Sequence, residues 1–483
     1  MIQEARTRVE TDLLGAREVP ADVYWGVHTL RATENFRLGG ETVGETPGLV
    51  SALAAVKQAA AEANVELGLL DPSVGGAIIH ACRELRSGKL ADQFPLSLIQ
   101  GGAGTSTNMN ANEVIANRAL EHLGQPKGSY RVLSPNEHVN LGQSTNDVYP
   151  TALKLATIWN CQALLAALDG FQRSCEAKAA EFDHVVKMGR TQLQDAVPMT
   201  LGQEFRSYSV TIGEDVERLT EAVSHLHEIN LGATAIGTGL NTHPLYAATV
   251  REKLETITGL PVTTSPDLVE ATQDCGVFVL ISATVKRAAI KLSKISSDLR
   301  LLSSGPRAGL AEINLPARQA GSSIMPGKVN PVIPELVNQV AFEIMGADVT
   351  VSLAAEAGQL QLSAFEPIIA ACLFRSIDHL RVAAITLTEA CIAGITANER
   401  TLEDHVAHSI GIVTALSPYL GYHVSGQIAA EALRTGTPVV DLVLQRELMD
   451  PDLLEQLLQP HVVAGGGRLP DQPPVPAALS RDL

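Results

Sequence analysis

Aromatic side chains are scarce in this chain: two Trp, seven Tyr and nine Phe among 483 residues, or 4%. Hydrophobic residues still make up 45%, so a large core must be built from Ala, Leu, Val and Ile. That composition favours close-packed helices over a sandwich or barrel. Positive charge is also in deficit, with 36 Lys+Arg against 53 Asp+Glu and a net charge of −17. Nucleic acid and anionic membrane surfaces are thereby excluded as partners, because both are repelled at long range. A small anion is not excluded, since it responds to the local field inside a cleft. Only six cysteines are present (Cys82, Cys161, Cys175, Cys275, Cys372 and Cys391), with no CxxC or CxH spacing. They imply no zinc or disulfide framework and read as unpaired small hydrophobes in a reducing cytosol. No apolar run approaches the roughly 20 residues of a membrane span. The stretch Met1 to Thr11 is charged and lacks the apolar core of a signal peptide. A cytoplasmic protein with no membrane contact is expected.

What is present is helical period. The first 145 residues mix short apolar runs with Gly, Pro and Asn clusters, and read as a mixed, mainly helical N-terminal domain (1–145). From there to about residue 400 the chain turns to long periodic segments. The clearest places Phe278, Ile281, Val285, Ala288, Leu292, Ile295, Leu299 and Leu302 at alternating steps of three and four, a coiled-coil seam. A second begins near Pro367 and continues through Ile369, Leu373, Ile377, Leu380, Ala384 and Leu387. Segments 151–182, 200–229 and 332–355 also read as long helices. Five such helices make a central bundle over 146–400, and their several apolar faces predict association between copies. A small helical domain (401–462) follows. The Gly- and Pro-rich stretch from 463 to 483 cannot bury enough apolar surface to stay ordered and predicts a loose tail.

Four segments interrupt the helical texture with small polar residues. They are Gly101–Asn110 (GGAGTSTNMN), Asn140–Asp147 (NLGQSTND), Gly189–Asp195 (GRTQLQD) and Gly321–Pro331 (GSSIMPGKVNP). Ser, Thr, Asn and Asp cap helices, and any one cluster reads as a cap. Four together, nearly uncharged, rich in donors and each beside a long helix, read as a convergent carboxylate site. The Gly321–Pro331 loop, bounded by glycines and prolines, reads as a mobile lid. No Gly-x-Ser-x-Gly elbow surrounds its serines and no histidine lies in it, which argues against a serine hydrolase. Nor is 101–104 a phosphate loop, since no Gly-Lys-Ser/Thr follows.

These four segments, in this order, resemble those of the aspartase/fumarase superfamily, and GSSIMPGKVNP is similar to its signature. The resemblance runs from Asp12-Leu13-Leu14-Gly15 to about residue 460. It implies an all-α fold of three domains whose central bundles associate into a homotetramer with a twenty-helix core. It also implies active sites shared by three subunits and a small dicarboxylate substrate. Within the superfamily, Arg17–Asp22 (REVPAD), Tyr24–Arg31 (YWGVHTLR), Gln100–Thr105, Glu137–Asn140, Val332–Glu335 and Glu356–Leu360 resemble the aspartases. Gly327, where many aspartases have Ala, is the fumarase-like exception.

Chemistry separates the two reactions independently. Expelling hydroxide from malate needs a general acid, which the fumarases of the family supply as a histidine where this chain has Gln192. Aspartate's amino group is already protonated and leaves as neutral ammonia. Deamination of L-aspartate to fumarate is therefore the expectation, with a class II fumarate hydratase and a non-catalytic, lyase-derived helical scaffold as the alternatives. Intact Ser322, Lys328 and Asn330 count against the scaffold. The resemblance assigns Ser322 as general base. It places Thr105, Ser144, Thr145 and Ser323 on the β-carboxylate, and Thr191, Lys328 and Asn330 on the α-carboxylate. Asn146, with Thr105 and Gln192, would meet the ammonium. Lys328 and Thr145 join Ser322 as catalytic residues. No cofactor is required, and a divalent metal such as Mg²⁺ is expected at most as an activator, with no ligands assigned.

Overall fold

The computed structural model describes residues 6–463 and contains 17 helices with little sheet. The helical expectation is therefore met. In chain order the helices are α1 (Val27–Asn35), α2 (Leu49–Glu66), α3 (Pro72–Arg86), α4 (Thr105–His122), α5 (Thr145–Glu181), α6 (Leu201–Ser224), α7 (Tyr246–Thr258), α8 (Leu268–Gln273), α9 (Gly276–Leu302), α10 (Val332–Glu356), α11 (Glu366–Ala390), α12 (Glu399–His408), α13 (Val413–Leu420), α14 (Tyr422–Thr435), α15 (Val439–Gln445) and α16 (Pro451–Leu457), with a last turn over Pro460–Val463. Two antiparallel hairpins join them. Strands β1 (Thr7–Asp12) and β2 (Gly15–Pro20) pair from Thr7↔Pro20 to Asp12↔Gly15. Strands β3 (Val186–Thr191) and β4 (Gln194–Thr200) pair from Val186↔Thr200 to Thr191↔Gln194, with an irregularity between Met188 and Arg190.

The predicted seams become helix faces. On α9 all eight positions from Phe278 to Leu302 are buried, and so are the six from Ile369 to Leu387 on α11. The helix spacing of 3.6 residues per turn puts each set on one stripe. No apolar run in the chain is unbroken over the roughly 20 residues of a membrane span, though one helix comes close by composition. α5 holds an 18-residue window apolar enough to cross a membrane by length and composition, with 67% of it buried inside the fold. Its apolar residues face protein because Leu153, Leu155, Ile158, Leu164 and Leu168 are core positions.

The chain divides into two compact units, and α5, α6, α9, α10 and α11 each contribute to both. The first comprises 1–166, 215–289 and 340–381. Its Ala-rich helix α2 is buried along most of its length against α3 and α7. Helix α3 is capped by Asp71, whose carboxylate accepts the Ser73 and Val74 N–H groups. Between α9 and α10 the buried Ser282 hydroxyl donates to Asp348 Oδ1 at 2.8 Å, and Lys286 pairs with Asp348. The second unit comprises 167–214, 290–339 and 382–483. There Asn338 on α10 donates to the Ser293 carbonyl (2.9 Å) and hydroxyl (2.8 Å) of α9. Ser209 on α6 bonds Glu176 on α5. The C-terminal helices have an apolar core of their own, around Leu416, Ile428, Leu442, Val443 and Leu457. The tail expected from 463 lies, from residue 464 on, outside the described residues. All six cysteines are buried and unpaired, as composition suggested.

Candidate active site

Two of the four polar segments meet in the first unit. Gly104 precedes α4 with φ +85°, and a Cβ there would sit 2.5 Å from the Tyr149 ring. Glycine is required on both counts. Thr105 then opens α4, and Ser144 and Thr145 open α5. The two helix starts are stitched by Asn108, whose Nδ2 reaches Thr145 Oγ1 at 3.0 Å and Asn140 Oδ1 at 3.2 Å. Asn112 Nδ2 and Lys57 Nζ donate to the same Asn140 oxygen at 3.1 and 2.9 Å, and Lys57 also reaches Gln143 Oε1 at 2.9 Å. Lys57 is wholly buried, and burial lowers its amine to about 7. The result is a rigid amide network under two adjacent helix N-termini. Several backbone N–H groups there are already bonded, Thr105 to Gly102 O, Thr107 to Gln100 Oε1 and Asn146 to Ser144 Oγ, so the positive dipole ends and the hydroxyls are what favour an anion.

Asn146 and Asp147 fix the far side of this cradle. Buried Asp147 accepts the N–H groups of Ser144 (3.0 Å), Gly232 (3.1 Å) and Thr234 (2.9 Å), and burial raises its carboxyl to about 6. Asn146 Nδ2 donates to Ala235 O at 2.8 Å. These bonds bring in a stretch that sequence reasoning missed, 232–242. Thr234 has φ +58°, and its buried Oγ1 lacks a protein hydrogen-bond partner. The signal lies in the sequence: Gly232, Gly237 and Gly239 among Thr and Asn repeat the texture of the four polar segments.

The other two segments belong to the second unit. Thr191 and Gln192 lie exposed at the tip of the β3–β4 hairpin, where Gln192 (φ +53°) and Leu193 (φ +64°) form its two-residue turn. Both positions are left-handed, as a hairpin of this length demands, yet neither is Gly or Asn. The hairpin is anchored at its base. Buried Glu312 holds Arg190 Nη1 at 2.6 Å, Lys187 Nζ at 3.2 Å and His405 Nδ1 at 3.3 Å, while Lys187 also pairs with Glu204.

The Gly321–Pro331 loop is mostly exposed. Gly321 N–H donates to Lys328 O at 2.7 Å, and Asn330 Nδ2 to Gly321 O at 2.8 Å, closing its neck. Ser322 Oγ accepts two backbone N–H groups, from Ile324 at 3.2 Å and Met325 at 3.0 Å. Two donors aimed at one hydroxyl oxygen favour its ionised form. Ser323 and Lys328 are exposed on the same loop. Among the described residues no hydrogen bond joins the hairpin tip to this loop. The structure thus gathers Thr105, Ser144, Thr145 and Asn146 in the first unit. Thr191 and Gln192, and then Ser322, Ser323, Lys328 and Asn330, form two separate groups in the second.

Known proteins share the sequence and fold of this chain over most of its length. Residues 15–346 match the family model described as lyase, and residues 412–465 that described as fumarase C C-terminus. The chain is 57% identical over 462 residues to the aspartate ammonia-lyase of Pseudomonas fluorescens, an alignment covering 95% of this chain and 97% of that protein. Among solved structures, fumarate lyase:delta crystallin from Brucella melitensis bound to cobalt superposes with a TM-score of 0.93 at 50% identity, covering 95% of this chain and all of that one. A recombinant class II fumarase from Schistosoma mansoni reaches a TM-score of 0.89 at 33% identity, over 95% and 99% of the two chains. The chain belongs to the lyase family of the aspartase/fumarase superfamily.

Proposed function

We propose that the protein is an ammonia-lyase converting L-aspartate reversibly to fumarate and ammonia. The observation that carries this reading is near-full-length identity of 57% to an aspartate ammonia-lyase, against 33% to a class II fumarase. Gln192 supports it, because an amide cannot supply the acid that hydroxide loss demands.

The chemistry follows from the substrate. The C3 proton lies beside the β-carboxylate and is barely acidic, so its removal leaves a carbanion that persists only as an aci-carboxylate dianion. Ser322 Oγ, ionised under the Ile324 and Met325 N–H groups, takes that proton. The C3 electron pair then forms the C2–C3 double bond as the C–N bond breaks on the opposite face, and ammonia leaves with the C–N pair. Thr105, Ser144, Thr145 and Ser323 donate to the two oxygens that gain charge. Each such donor, bound more tightly in the intermediate than in the substrate, contributes about 2.7–4 kcal/mol. Thr191, Lys328 and Asn330 hold the α-carboxylate, and Asn146, Thr105 and Gln192 meet the ammonium. No organic cofactor is needed, since the β-carboxylate itself accepts the charge. A divalent ion such as Mg²⁺ enters only as an activator, without assigned ligands.

We further propose a homotetramer in which three subunits complete each site. The polar groups form separate clusters in one chain, and α10 presents Phe342, Val349 and Leu353 about 60% exposed along one face, apolar area that a second copy would cover. Six unpaired cysteines suit a reducing cytoplasm. The test is direct: purified protein is incubated with L-aspartate or L-malate and fumarate absorbance is followed. Aspartate turnover is expected to dominate. Faster malate turnover would overturn the assignment, and activity on neither would favour a scaffold.

A further inference from the structure

Away from these clusters, the far ends of α3 and α4 in the first unit bring together three metal-binding side chains. His80 and Glu84 lie four residues apart on α3 and so share one face. His122 is the last residue of α4, where unpaired carbonyls make the helix end negative. Its Nε2 stands 3.0 Å from Glu84 Oε2. The His80 and His122 rings stack with centroids 4.1 Å apart and planes 26° from parallel. One donor atom from each of the three residues lies within 4.8 Å of the other two.

We propose that His80, Glu84 and His122 form a binding site for a divalent ion of the zinc, cobalt or nickel class. Bonds of about 2.0–2.1 Å to nitrogen and carboxylate oxygen require neighbouring donors about 3 Å apart, which the His122–Glu84 pair already meets. The His80 donor must close from within 4.8 Å of its partners to about 3 Å, a shift its exposed side chain can make. Glu84 is held by Arg118, whose Nε reaches Oε2 at 2.6 Å and Nη2 reaches Oε1 at 2.9 Å. That is the outer-sphere support that orients ligating carboxylates. The positive charge of Arg118 weakens the site, and Glu121 Oε2, 2.8 Å from Arg118 Nη1, offsets part of it. Two imidazoles and one carboxylate suit borderline metals. Mg²⁺, which demands oxygen ligands, does not fit, so this is not the magnesium activator site expected from the sequence. The cluster lies 17 residues along α4 from Thr105, or about 25 Å, and touches none of the groups assigned to catalysis.

The experiment is calorimetric titration of Zn²⁺ into the metal-stripped, full-length protein, repeated with His80→Ala and His122→Ala. Wild type is expected to bind one equivalent per chain more than His80→Ala, or to bind that equivalent at least tenfold more tightly. The difference removes zinc taken by other histidines. Co²⁺ should give visible absorption that His80→Ala abolishes, and Mg²⁺ at the same concentration should give no heat that either variant removes. Aspartate turnover of His80→Ala should match wild type, so loss of zinc does not report on the reaction. Equal stoichiometry and affinity in wild type and His80→Ala, or no zinc bound by wild type, would overturn the proposal.

Discussion

Glu312 offers the sharpest quantitative test of how the hairpin is held. Its carboxylate is fully buried and faces three basic groups: Arg190 at 2.6 Å, Lys187 at 3.2 Å and His405 at 3.3 Å. The Arg190 and Lys187 contacts are ion pairs without hydrogen-bond alignment, and His405 Nδ1 lies within hydrogen-bond reach of Oε1, so the carboxylate serves Arg190 and Lys187 mainly as a counter-charge. Glu312→Leu removes the anion and leaves Arg190 largely buried without its counter-charge. Breaking a buried pair this way costs about 3–5 kcal/mol. Lys187 keeps Glu204, which places the cost near the lower end of that range. At about 2–4 °C per kcal/mol for a unit of 150–250 residues, the unfolding midpoint should fall by about 6–12 °C. Glu312→Gln, which keeps one acceptor and the side-chain shape, should lose about half as much. The assay is thermal unfolding by circular dichroism, with kcat/KM for aspartate measured well below the transition. Because Arg190 directly precedes Thr191 and Gln192, kcat/KM should also drop. A Leu variant that melts within about 2 °C of wild type and keeps its kcat/KM would refute the anchoring role.

Three further outcomes are expected. Ser322→Ala should lower kcat by about 10²–10⁴-fold, the range of a positioned base, with helicity and oligomeric mass unchanged; near-normal kcat would remove Ser322 as the base. Buried Glu366, at the start of α11, has its carboxyl raised by burial from 4.5 to about 8. The native state therefore keeps a proton that the unfolded chain has lost between those values, and stability should fall as pH rises through that window. Glu366→Gln, which mimics the protonated form, should flatten that slope in urea unfolding from pH 6 to 8.5, and parallel curves would contradict it. Leu193→Gly should relieve the left-handed turn residue and raise the unfolding midpoint by an amount corresponding to about 1 kcal/mol, readable in the same urea series.

The long helices were legible because their apolar positions repeat with the helix's own period, as Phe278 to Leu302 do. The polar segments were legible because Thr105, Ser144 and Ser322 sit in dense runs of small polar residues beside the long helices, although the first run proves to lie inside buried helix α4, at Ser106, Thr107, Asn108 and Asn110. What escaped was assembled by packing. Glu312 meets Lys187, Arg190 and His405 from positions up to 125 residues away in sequence, and no spacing rule connects them. His80 and Glu84 share a helix face, but their third partner arrives from another helix. Lys57 reads as an ordinary helical lysine, and only burial reveals that it holds Asn140. In α5, composition alone cannot tell a core helix from a membrane span, since both hold a long, predominantly apolar window.

The cradle at the starts of α4 and α5 bears on how the protein meets ionic strength. Attraction between full charges in solvent fades as salt shortens the screening length, to about 8 Å at physiological strength. Backbone N–H groups and hydroxyls at contact distance lose far less to screening, because they act by short hydrogen bonds rather than long-range field. Among the groups assigned to hold the substrate's carboxylates and ammonium, only Lys328 carries a charge, while the chain as a whole repels anions with its net −17. Added salt should weaken that global repulsion while leaving the short bonds intact. Moderate salt would then help a dicarboxylate reach its site instead of competing for it.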